Sequence, residues 1–342
     1  MVLKPNSAVA DKQSLFDYLN QQNIAFHIVA QQNVVVITKQ SYINNLPDFA
    51  CIEDLYKIET KYKLASNIWK NETQFSVNQI PVGGNVFNIM AGPCSVESEE
   101  QIFTTAEFLS KLGVKFLRGG AYKPRTSPYS FRGLGLEGLQ LLRKAADKYN
   151  MSVVTEILDY SLLEEVMEYA DVLQVGSRNM HNFYLLDKLG KINKPILLKR
   201  GFQGKAAEWL LAAEYILSGG NEKVILCERG IRGFDSSSRN VLDLGIVPII
   251  KELSHLPIII DPSHGTGAAS RVKPASLAAA AIGANGVLIE VHPNPTVALS
   301  DSEQSLTFKM FEELLTETQK LLVTLKKTSE TESIIMNSEN LY

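Results

Sequence analysis

The chain has 342 residues, of which 45% are hydrophobic, and this is enough for one large domain of barrel size and a small second domain. A formal net charge of -3 without a basic stripe or a long Lys/Arg block argues against a nucleic-acid-binding protein. Residues 1–10 lack a signal-peptide pattern and the longest apolar stretch, 277–291, contains glycine and asparagine, so we expect a cytoplasmic protein without a membrane span. Cys51, Cys94 and Cys227 are too few and too scattered for a disulfide framework, and we expect free thiols.

Residues 1–71 predict a small α+β domain. An apolar start is followed by a helix-like segment (14–22), extended runs (24–29 and 33–38), a short helical piece and a last run (51–58). This β-α-β-β-α-β order is the ferredoxin-like plan, which many small regulatory domains use. An extension that only stabilises an oligomer would show the same order, so the order alone does not separate the two roles.

Residues 72–326 predict a (β/α)8 barrel that begins with a hairpin. The hairpin runs from residue 75 to 80 with a turn at Gly83-Gly84, and a polar tail, 327–342, follows the barrel. Between them, short apolar runs alternate with segments whose apolar residues recur at helical spacing. The predicted strands are 86–90, 114–117, 152–155, 172–175, 195–198, 223–226, 257–260 and 286–289.

Charged and metal-binding residue types follow the carboxyl ends of these strands. The loops at that end of a (β/α)8 barrel surround one mouth, where the active site lies. For any single residue a solvated loop position is the better interpretation, but it does not explain the whole set. The set comprises Cys94, Arg118, Glu156, Arg178, Lys199 with Arg200, Glu228 with Arg229, Asp261 with His264, and Glu290.

Three of these positions, together with Asp301, predict a metal site. Cys94, His264, Glu290 and Asp301 offer a thiolate, an imidazole and two carboxylates, which suit a divalent transition metal with an open coordination position. Their long sequence separation is weak evidence by itself. What favours the site is that they follow predicted strands 1, 7 and 8. Such a mixed set tolerates Mn, Fe, Co or Zn, so the sequence does not identify the ion.

A second group of side chains predicts anion binding. The glycine- and proline-rich loop 118–131 could by itself be a surface turn, but its cations join others that follow later strands. Six positive groups at one mouth of an acidic protein need anions to offset their repulsion, and two phosphorylated or carboxylated small molecules would do so. The six are Arg118, Lys123, Arg125, Arg178, Lys199 and Arg229.

These side chains lie in motifs that extend almost continuously over residues 90–305. The motifs are GPCSVES at Gly92, LRGGAYKPRTSPYSF at Leu117, GSRNMHNF at Gly176, LLKRGF at Leu197, LCERGIR at Leu226, DPSHGTG at Asp261 and EVHPNP at Glu290. They resemble the 3-deoxy-D-arabino-heptulosonate 7-phosphate (DAHP) synthases, in the subgroup related to the keto-deoxy-octulosonate 8-phosphate synthases. The resemblance implies a transferase that opens the shikimate pathway to chorismate and the aromatic amino acids.

The resemblance also implies a reaction and residue roles. Phosphoenolpyruvate would condense with D-erythrose 4-phosphate and water to give DAHP and phosphate, with a divalent metal ion on the four residues named above. Arg178, Lys199 and Arg229 match the contacts to the phosphate of phosphoenolpyruvate, and Arg118 and Lys123 match those to its carboxylate. Lys123 would also donate a proton, so the catalytic residues would be Lys123, Cys94 and His264. The acceptor phosphate would bind to Arg125, Thr126 and Ser127, whereas Glu156 and Asp261 would orient water or metal ligands.

Two rival functions accompany this interpretation. An octulosonate 8-phosphate synthase performs the same chemistry on a five-carbon sugar, but its family has a different sequence after the lysine that matches Lys123. A non-catalytic sensor of aromatic amino acids would have no reason to keep every matched ligand position. By resemblance we also expect a homotetramer, and feedback inhibition by tyrosine or phenylalanine through residues 1–71.

Overall fold

A closed barrel, a four-stranded sheet and a hairpin organise the residues that the computed structural model describes, which are 1–29, 33–37, 46–125 and 127–327. Three predictions therefore fall wholly or largely outside the described residues. They are the role of Thr126, the polar tail beyond residue 327, and most of the second helix of the N-terminal region, which was expected after residue 38.

The N-terminal residues form an antiparallel sheet with one helix. Their elements are β1 (Val2–Leu3), α1 (Val9–Gln21), β2 (Phe26–Val29), β3 (Val34–Ile37) and β4 (Ile52–Asp54), and the sheet order is β2-β3-β1-β4. Leu15 and Leu19 of α1 are fully buried in a small core with strand residues. The described elements follow the predicted β-α-β-β-β part of the ferredoxin-like order, and the domain boundaries stay a prediction.

The hairpin is present, but its turn was predicted wrongly. Strands β5 (Phe75–Val77) and β6 (Ile80–Val82) are joined by Asn78 and Gln79, which have φ values of 47° and 72°. Two central residues with positive φ match the twist of a tight hairpin, and asparagine tolerates this region better than most residues. Gly83 and Gly84 come after β6 instead.

Parallel strands close the barrel in the order β10-β11-β12-β13-β14-β7-β8-β9, which confirms the predicted (β/α)8 fold. The strands are β7 (Asn88–Gly92), β8 (Phe116–Arg118), β9 (Ser152–Ile157), β10 (Val172–Val175), β11 (Ile196–Lys199), β12 (Val224–Glu228), β13 (Ile258–Ile260) and β14 (Gly286–Glu290). The helices are α2 (Glu99–Lys111), α3 (Leu136–Lys148), α4 (Leu163–Tyr169), α5 (Phe183–Leu189), α6 (Ala206–Ser218), α7 (Ile246–Leu253), α8 (Pro262–Thr266), α9 (Ala269–Ala281) and α10 (Phe308–Thr324).

The two faces of the barrel strands pack into separate cores. Side chains such as Met90, Phe116 and Leu288 form an inner cluster with Val77 and Ile80 of the hairpin. Since Asn78 also donates to the Ser152 hydroxyl at the start of β9, the hairpin covers the amino-terminal end of the barrel. The outer faces pack against the helices, and the carboxyl ends of the strands carry the chemically active side chains. Within the described ranges, no helix combines the length and apolarity needed to span a bilayer.

Candidate active site

A cavity of about 320 Å³ opens among the loops at the carboxyl ends of the barrel strands. Its lining residues are as far apart in the chain as positions 123 and 301. The loops after the barrel strands therefore meet around one cavity, as the sequence predicted. Its lining comprises Lys123, Pro124, Arg125, Ser127, Ser130, Glu156, Arg178, Phe202, Arg229, Arg239, His264 and Asp301.

Four possible metal ligands meet at one side of this cavity. One donor atom from each of Cys94, His264, Glu290 and Asp301 lies within 4.8 Å of all the others. The His264 Nε2 atom is 3.4 Å from Glu290 Oε1 and 3.8 Å from Asp301 Oδ2, and the Cys94 thiol donates to Asp301 Oδ2 over 3.1 Å. The sequence prediction had named the same four residues.

Different local structures deliver these four donors. Cys94 follows β7, and Glu290 is the last residue of β14. His264 lies in α8, a short helix whose first turn is capped by the Asp261 side chain and which has Pro262 at its start. Asp301 has a φ of 48°, a left-handed conformation that is uncommon outside glycine and that often marks a functional position.

The charges around the cluster favour two ionised carboxylates. Burial acts to raise the pKa of both Glu290 and Asp301, but His264 and a nearby arginine outweigh it, so both pKa values lie below their usual range. Burial, with help from Glu290, raises the pKa of the Cys94 thiol to about 12. A bound dication would supply the positive charge that a thiolate needs here, so metal binding would release a proton from Cys94.

The imidazole of His264 is oriented by a buried carboxylate. Asp261 Oδ2 lies 2.7 Å from His264 Nδ1 and 2.5 Å from Lys199 Nζ, and Asp261 Oδ1 accepts from the His264 backbone N–H. Burial lowers the pKa of His264, although Asp261 and Glu290 act to raise it. The ionised Asp261 carboxylate can only accept, so Nδ1 is the donor, and in the neutral ring that a metal would bind, Nε2 presents its lone pair to the other three residues.

This donor set fits a divalent transition metal. Two carboxylates, one imidazole and one thiol have donor atoms within 4.8 Å of one another, and Asp261 engages Nδ1 of the imidazole so that Nε2 faces the carboxylates. The cluster also borders the cavity, since His264 and Asp301 line its wall. A ligand from the cavity could thus reach an ion held there.

Lys123 lies directly beside the metal-ligand cluster. Its Nζ atom is 3.0 Å from the Cys94 carbonyl oxygen and 3.1 Å from Cys94 Sγ. Burial acts to lower the pKa of Lys123, but Cys94 and the carboxylates of Glu156 and Glu290 raise it above its usual value. The ammonium group is therefore charged and has protons to donate at the cavity floor.

Arg118 and Lys199 lie below the cavity rather than in its lining. The Arg118 guanidinium donates to Glu290 Oε1 and to the Pro93 carbonyl oxygen, both over 2.9 Å. Lys199 pairs with Asp261, and both cations are only 3% exposed. Both side chains were predicted to touch substrate, and in the structure each already has a carboxylate partner.

Three arginines gather around one phenylalanine at the opposite wall. The guanidinium carbons of Arg229, Arg232 and Arg178 lie 4.8, 5.4 and 5.7 Å from the centre of the Phe202 ring. The negative face of an aromatic ring attracts guanidinium groups, so the ring offsets part of their mutual repulsion. These three positive charges close together form a suitable binding site for an anion.

Arg125 forms a second cationic wall. Its Nε atom donates to the Phe131 carbonyl oxygen over 3.0 Å, and its Nη2 atom is buried with no hydrogen-bond partner among the described residues. A buried guanidinium N–H without a partner costs free energy that an anion in the cavity would recover. Ser127 also lines the cavity, and its contact with the acceptor phosphate stays a prediction.

Glu156 adds a carboxylate to this mostly cationic lining. A Cβ atom at Gly176 would lie 2.0 Å from Glu156 Oε1, so a larger residue there would require the carboxylate to move from its present position. Glu156 was noticed in the sequence because it follows the predicted strand 152–155, whereas in the structure it lies within β9 near its carboxyl end.

Sequence reasoning missed three residues of this site. Phe202 is the apolar last residue of the LLKRGF motif, and Arg239 lies in the middle of the long loop after β12, far from the strand end where charged residues were sought. Gln304 is an uncharged residue just beyond Asp301, and its side chain contacts both Glu290 and Arg239. Proximity to a matched motif was the only available signal for Phe202 and Gln304, and there was none for Arg239.

Comparison with known proteins shows the family to which most of the chain belongs. Residues 58–327 match the family described as DAHP synthetase I. The chain is 50% identical to a phospho-2-dehydro-3-deoxyheptonate aldolase of Thermotoga maritima, over 94% of this chain and 97% of that protein. A crystal structure of the Thermotoga maritima DAHP synthase matches with a TM-score of 0.79 and 49% identity, covering 96% of this chain and 98% of that one.

The chain is also similar to a truncated solved structure and to an octonate aldolase. A truncated form of the Thermotoga maritima synthase covers 78% of this chain and 99% of its own, with a TM-score of 0.74 and 51% identity. A 2-dehydro-3-deoxyphosphooctonate aldolase of Francisella tularensis is 32% identical over 73% of this chain and 96% of that protein. The chain is an enzyme that belongs to the DAHP synthetase I family.

Proposed function

We propose that this enzyme condenses phosphoenolpyruvate with D-erythrose 4-phosphate and water to give DAHP and inorganic phosphate, the first step of the shikimate pathway. The observation that carries the proposal is the cavity itself, which is lined by two members of the metal-ligand cluster, His264 and Asp301, and by several cationic side chains. Such an arrangement suits two anionic substrates that react next to an electrophilic centre.

The metal would be held by Cys94, His264, Glu290 and Asp301. When bound, a divalent ion there supplies Lewis-acid polarisation of a carbonyl oxygen. Asp261 keeps the His264 lone pair directed at this position, and Arg118 restrains Glu290 from the other side. The mixture of donors leaves Mn, Fe, Co and Zn as candidates.

The phosphate of phosphoenolpyruvate would bind at the arginine wall. Arg178 and Arg229 line the cavity there, and both guanidinium groups contact the Phe202 ring. Lys199 lies next to this wall and would add its charge from below, while its pairing with Asp261 keeps it in place. Arg118 and Lys123 would hold the carboxylate, which would seat the reacting carbon beside the metal-ligand cluster.

Lys123 would act as the general acid. Its buried ammonium group stands at hydrogen-bond distance from Cys94 and so next to the place where an aldehyde oxygen would be activated. Proton donation to the new alkoxide at this point typically contributes about 100-fold or more to the rate. Glu156 faces the same cavity and would orient the attacking water, whose addition allows phosphate to leave.

Arg125, Ser127 and Thr126 would bind the phosphate of the acceptor sugar. The unpaired Nη2 of Arg125 supports this assignment for the described part of the loop. Four-carbon erythrose 4-phosphate is the proposed acceptor because the KPRT sequence follows the DAHP synthase pattern. The higher identity to the heptonate aldolase than to the octonate aldolase supports the same choice.

The N-terminal region would bind a regulatory ligand. We propose feedback inhibition by tyrosine or phenylalanine through residues 1–71, in a cytoplasmic homotetramer. The small sheet supports this role, because Val29 and Val34 pack into the core on the outside of the barrel and no described residue of 1–71 lines the cavity.

One assay tests the proposed reaction. Purified enzyme is offered phosphoenolpyruvate with erythrose 4-phosphate or with arabinose 5-phosphate, and consumption of phosphoenolpyruvate is followed with and without a chelator. We expect turnover with the four-carbon sugar, loss of turnover in the chelator and recovery with added Mn²⁺. Turnover of arabinose 5-phosphate alone would assign the enzyme to the octulosonate reaction, and full activity in the chelator would contradict the metal site.

A further inference from the structure

A buried glutamine connects two mouth loops immediately behind the metal-ligand cluster. Gln304 is 1% exposed, its Nε2 atom donates to Glu290 Oε2 over 2.6 Å, and its Oε1 atom accepts from Arg239 Nη1 over 2.6 Å. We call these two side chains the Gln304–Arg239 latch. Gln304 belongs to the loop after β14, whereas Arg239 belongs to the loop after β12, so the latch joins segments far apart in sequence.

The orientation of the Gln304 amide is determined by its two partners. Arginine can only donate hydrogen bonds and an ionised carboxylate can only accept them. The amide oxygen must therefore face Arg239, and the amide nitrogen must face Glu290. A side chain without both a donor and an acceptor could not make this connection.

The latch holds the outward oxygen of each carboxylate ligand. Gln304 engages Glu290 Oε2, which leaves Oε1 facing His264 at 3.4 Å. Arg239 Nη1 also donates to Asp301 Oδ1 over 3.1 Å, which leaves Oδ2 facing His264 and the Cys94 thiol. Each carboxylate thus has one oxygen held by the latch and the other directed at the metal position, where Glu290 Oε1 also accepts from Arg118 and Asp301 Oδ2 accepts from the Cys94 thiol.

We infer that the Gln304–Arg239 latch keeps Glu290 and Asp301 monodentate and thereby makes the site selective for small transition ions over Ca²⁺. This inference rests on the proposed metal site and goes beyond it. Ca²⁺ takes 6 to 8 oxygen ligands, often with bidentate carboxylates, whereas transition ions accept few ligands with nitrogen or sulfur among them. Gln304 is a positioning residue in this scheme, since it contacts a ligand and not the ion.

The test compares metal binding by the wild-type enzyme and by Gln304→Leu. Protein freed of metal with a chelator is titrated with Mn²⁺, free Mn²⁺ is measured by electron paramagnetic resonance, and the titration is repeated with Ca²⁺ as competitor. Outer-shell partners of metal ligands typically contribute about 10- to 100-fold to affinity. We expect Gln304→Leu to lose Mn²⁺ affinity by this factor and Ca²⁺ affinity by less, so the preference for Mn²⁺ narrows by about 10-fold.

Gln101→Leu is the matched control. Gln101 is also buried and makes two hydrogen bonds near the mouth, to the Ser95 carbonyl oxygen and from the Glu97 N–H, but none to a metal ligand. We expect its Mn²⁺ preference to equal that of the wild type. If Gln304→Leu does not fold, Gln304→Asn, which is too short to connect both partners, is judged by the same criterion.

The outcomes separate the two levels of the argument. If the wild-type enzyme binds no Mn²⁺, the proposed metal site itself is wrong. If the wild type binds Mn²⁺ but the Gln304 variants keep the wild-type preference, or lose Mn²⁺ and Ca²⁺ affinity by equal factors, the latch does not set selectivity and the inference is overturned. A narrowed preference in the Gln304 variants alone supports it.

Discussion

Replacement of Asp261 by asparagine tests how the protein prepares His264 for metal binding. In the wild type, Asp261 Oδ2 accepts from both His264 Nδ1 and Lys199 Nζ, and Oδ1 accepts from the His264 backbone N–H. In Asp261→Asn the amide oxygen can keep the backbone hydrogen bond, which puts the NH2 group in the place of Oδ2. That group would donate to Nδ1 and shift the ring proton to Nε2, the atom that should hold the metal.

Two losses of different size follow from this geometry. The exchange removes the orienting partner of a metal-binding histidine, which costs about 10- to 100-fold in metal affinity, or about 1.4 to 2.8 kcal/mol. It also leaves the Lys199 ammonium buried without its carboxylate, and breaking a buried ion pair in this way costs about 3 to 5 kcal/mol of stability. The stability loss is expected in the absence of metal as well.

The assay measures these two quantities separately. Metal affinity is obtained from Mn²⁺ titration, and stability from urea unfolding in the presence of a chelator. Asp171→Asn serves as the control, because Asp171 pairs with Arg143 over 2.7 Å at the amino-terminal end of the barrel, remote from the mouth. We expect the control to lose stability and to keep wild-type affinity for Mn²⁺.

Two results would refute this reasoning. Wild-type Mn²⁺ affinity in Asp261→Asn would mean that the carboxylate does not determine which nitrogen of His264 is protonated. Unchanged stability in the chelator would mean that Lys199 does not depend on Asp261 for its charge balance. The second result would also weaken the proposal that Lys199 is held in place for the phosphate.

Four further predictions concern the walls of the cavity and the N-terminal region. Cys94→Ala should lose both bound metal and activity, and a variant that retained its metal would remove Cys94 from the site. Arg125→Ala should raise the KM for erythrose 4-phosphate by about 10- to 100-fold, since hydrogen bonds to charged groups contribute about 1.5 to 3 kcal/mol. If only the KM for phosphoenolpyruvate rose, the two substrates would have to be assigned to the opposite walls. Phe202→Leu should raise the KM for phosphoenolpyruvate by about 10-fold, because each cation–π contact contributes about 0.5 to 1 kcal/mol. An unchanged KM would mean that the Phe202 ring does not help to hold the arginines in place for the substrate. Deletion of residues 1–71 should preserve turnover and abolish inhibition by tyrosine or phenylalanine, and inhibition of the shortened enzyme would locate the effector site elsewhere.

The sequence determined the barrel and identified the four side chains that form the possible metal-binding cluster. Apolar runs of strand length alternate with helical segments, and this pattern has few solutions other than a (β/α)8 fold in a chain of this size. Because parallel barrel strands direct their carboxyl ends to one mouth, residues such as Cys94 and Glu290 could be grouped before any coordinates existed. The same logic failed for the hairpin, where Gly83-Gly84 suggested a turn but Asn78 and Gln79 form it.

Only the tertiary structure decided which side chains border the cavity and which lie beneath it in ion pairs. Lys123, Arg118 and Lys199 are all cations at strand ends, yet the first borders the cavity and the other two lie beneath it, paired with carboxylates. Gln304 and Arg239 came to notice only through their contacts. Local periodicity predicts where each strand ends, and in a closed parallel barrel the residues at these ends meet. Which atom faces which depends on packing and charge balance between segments far apart in the chain, and no local pattern in the sequence records that.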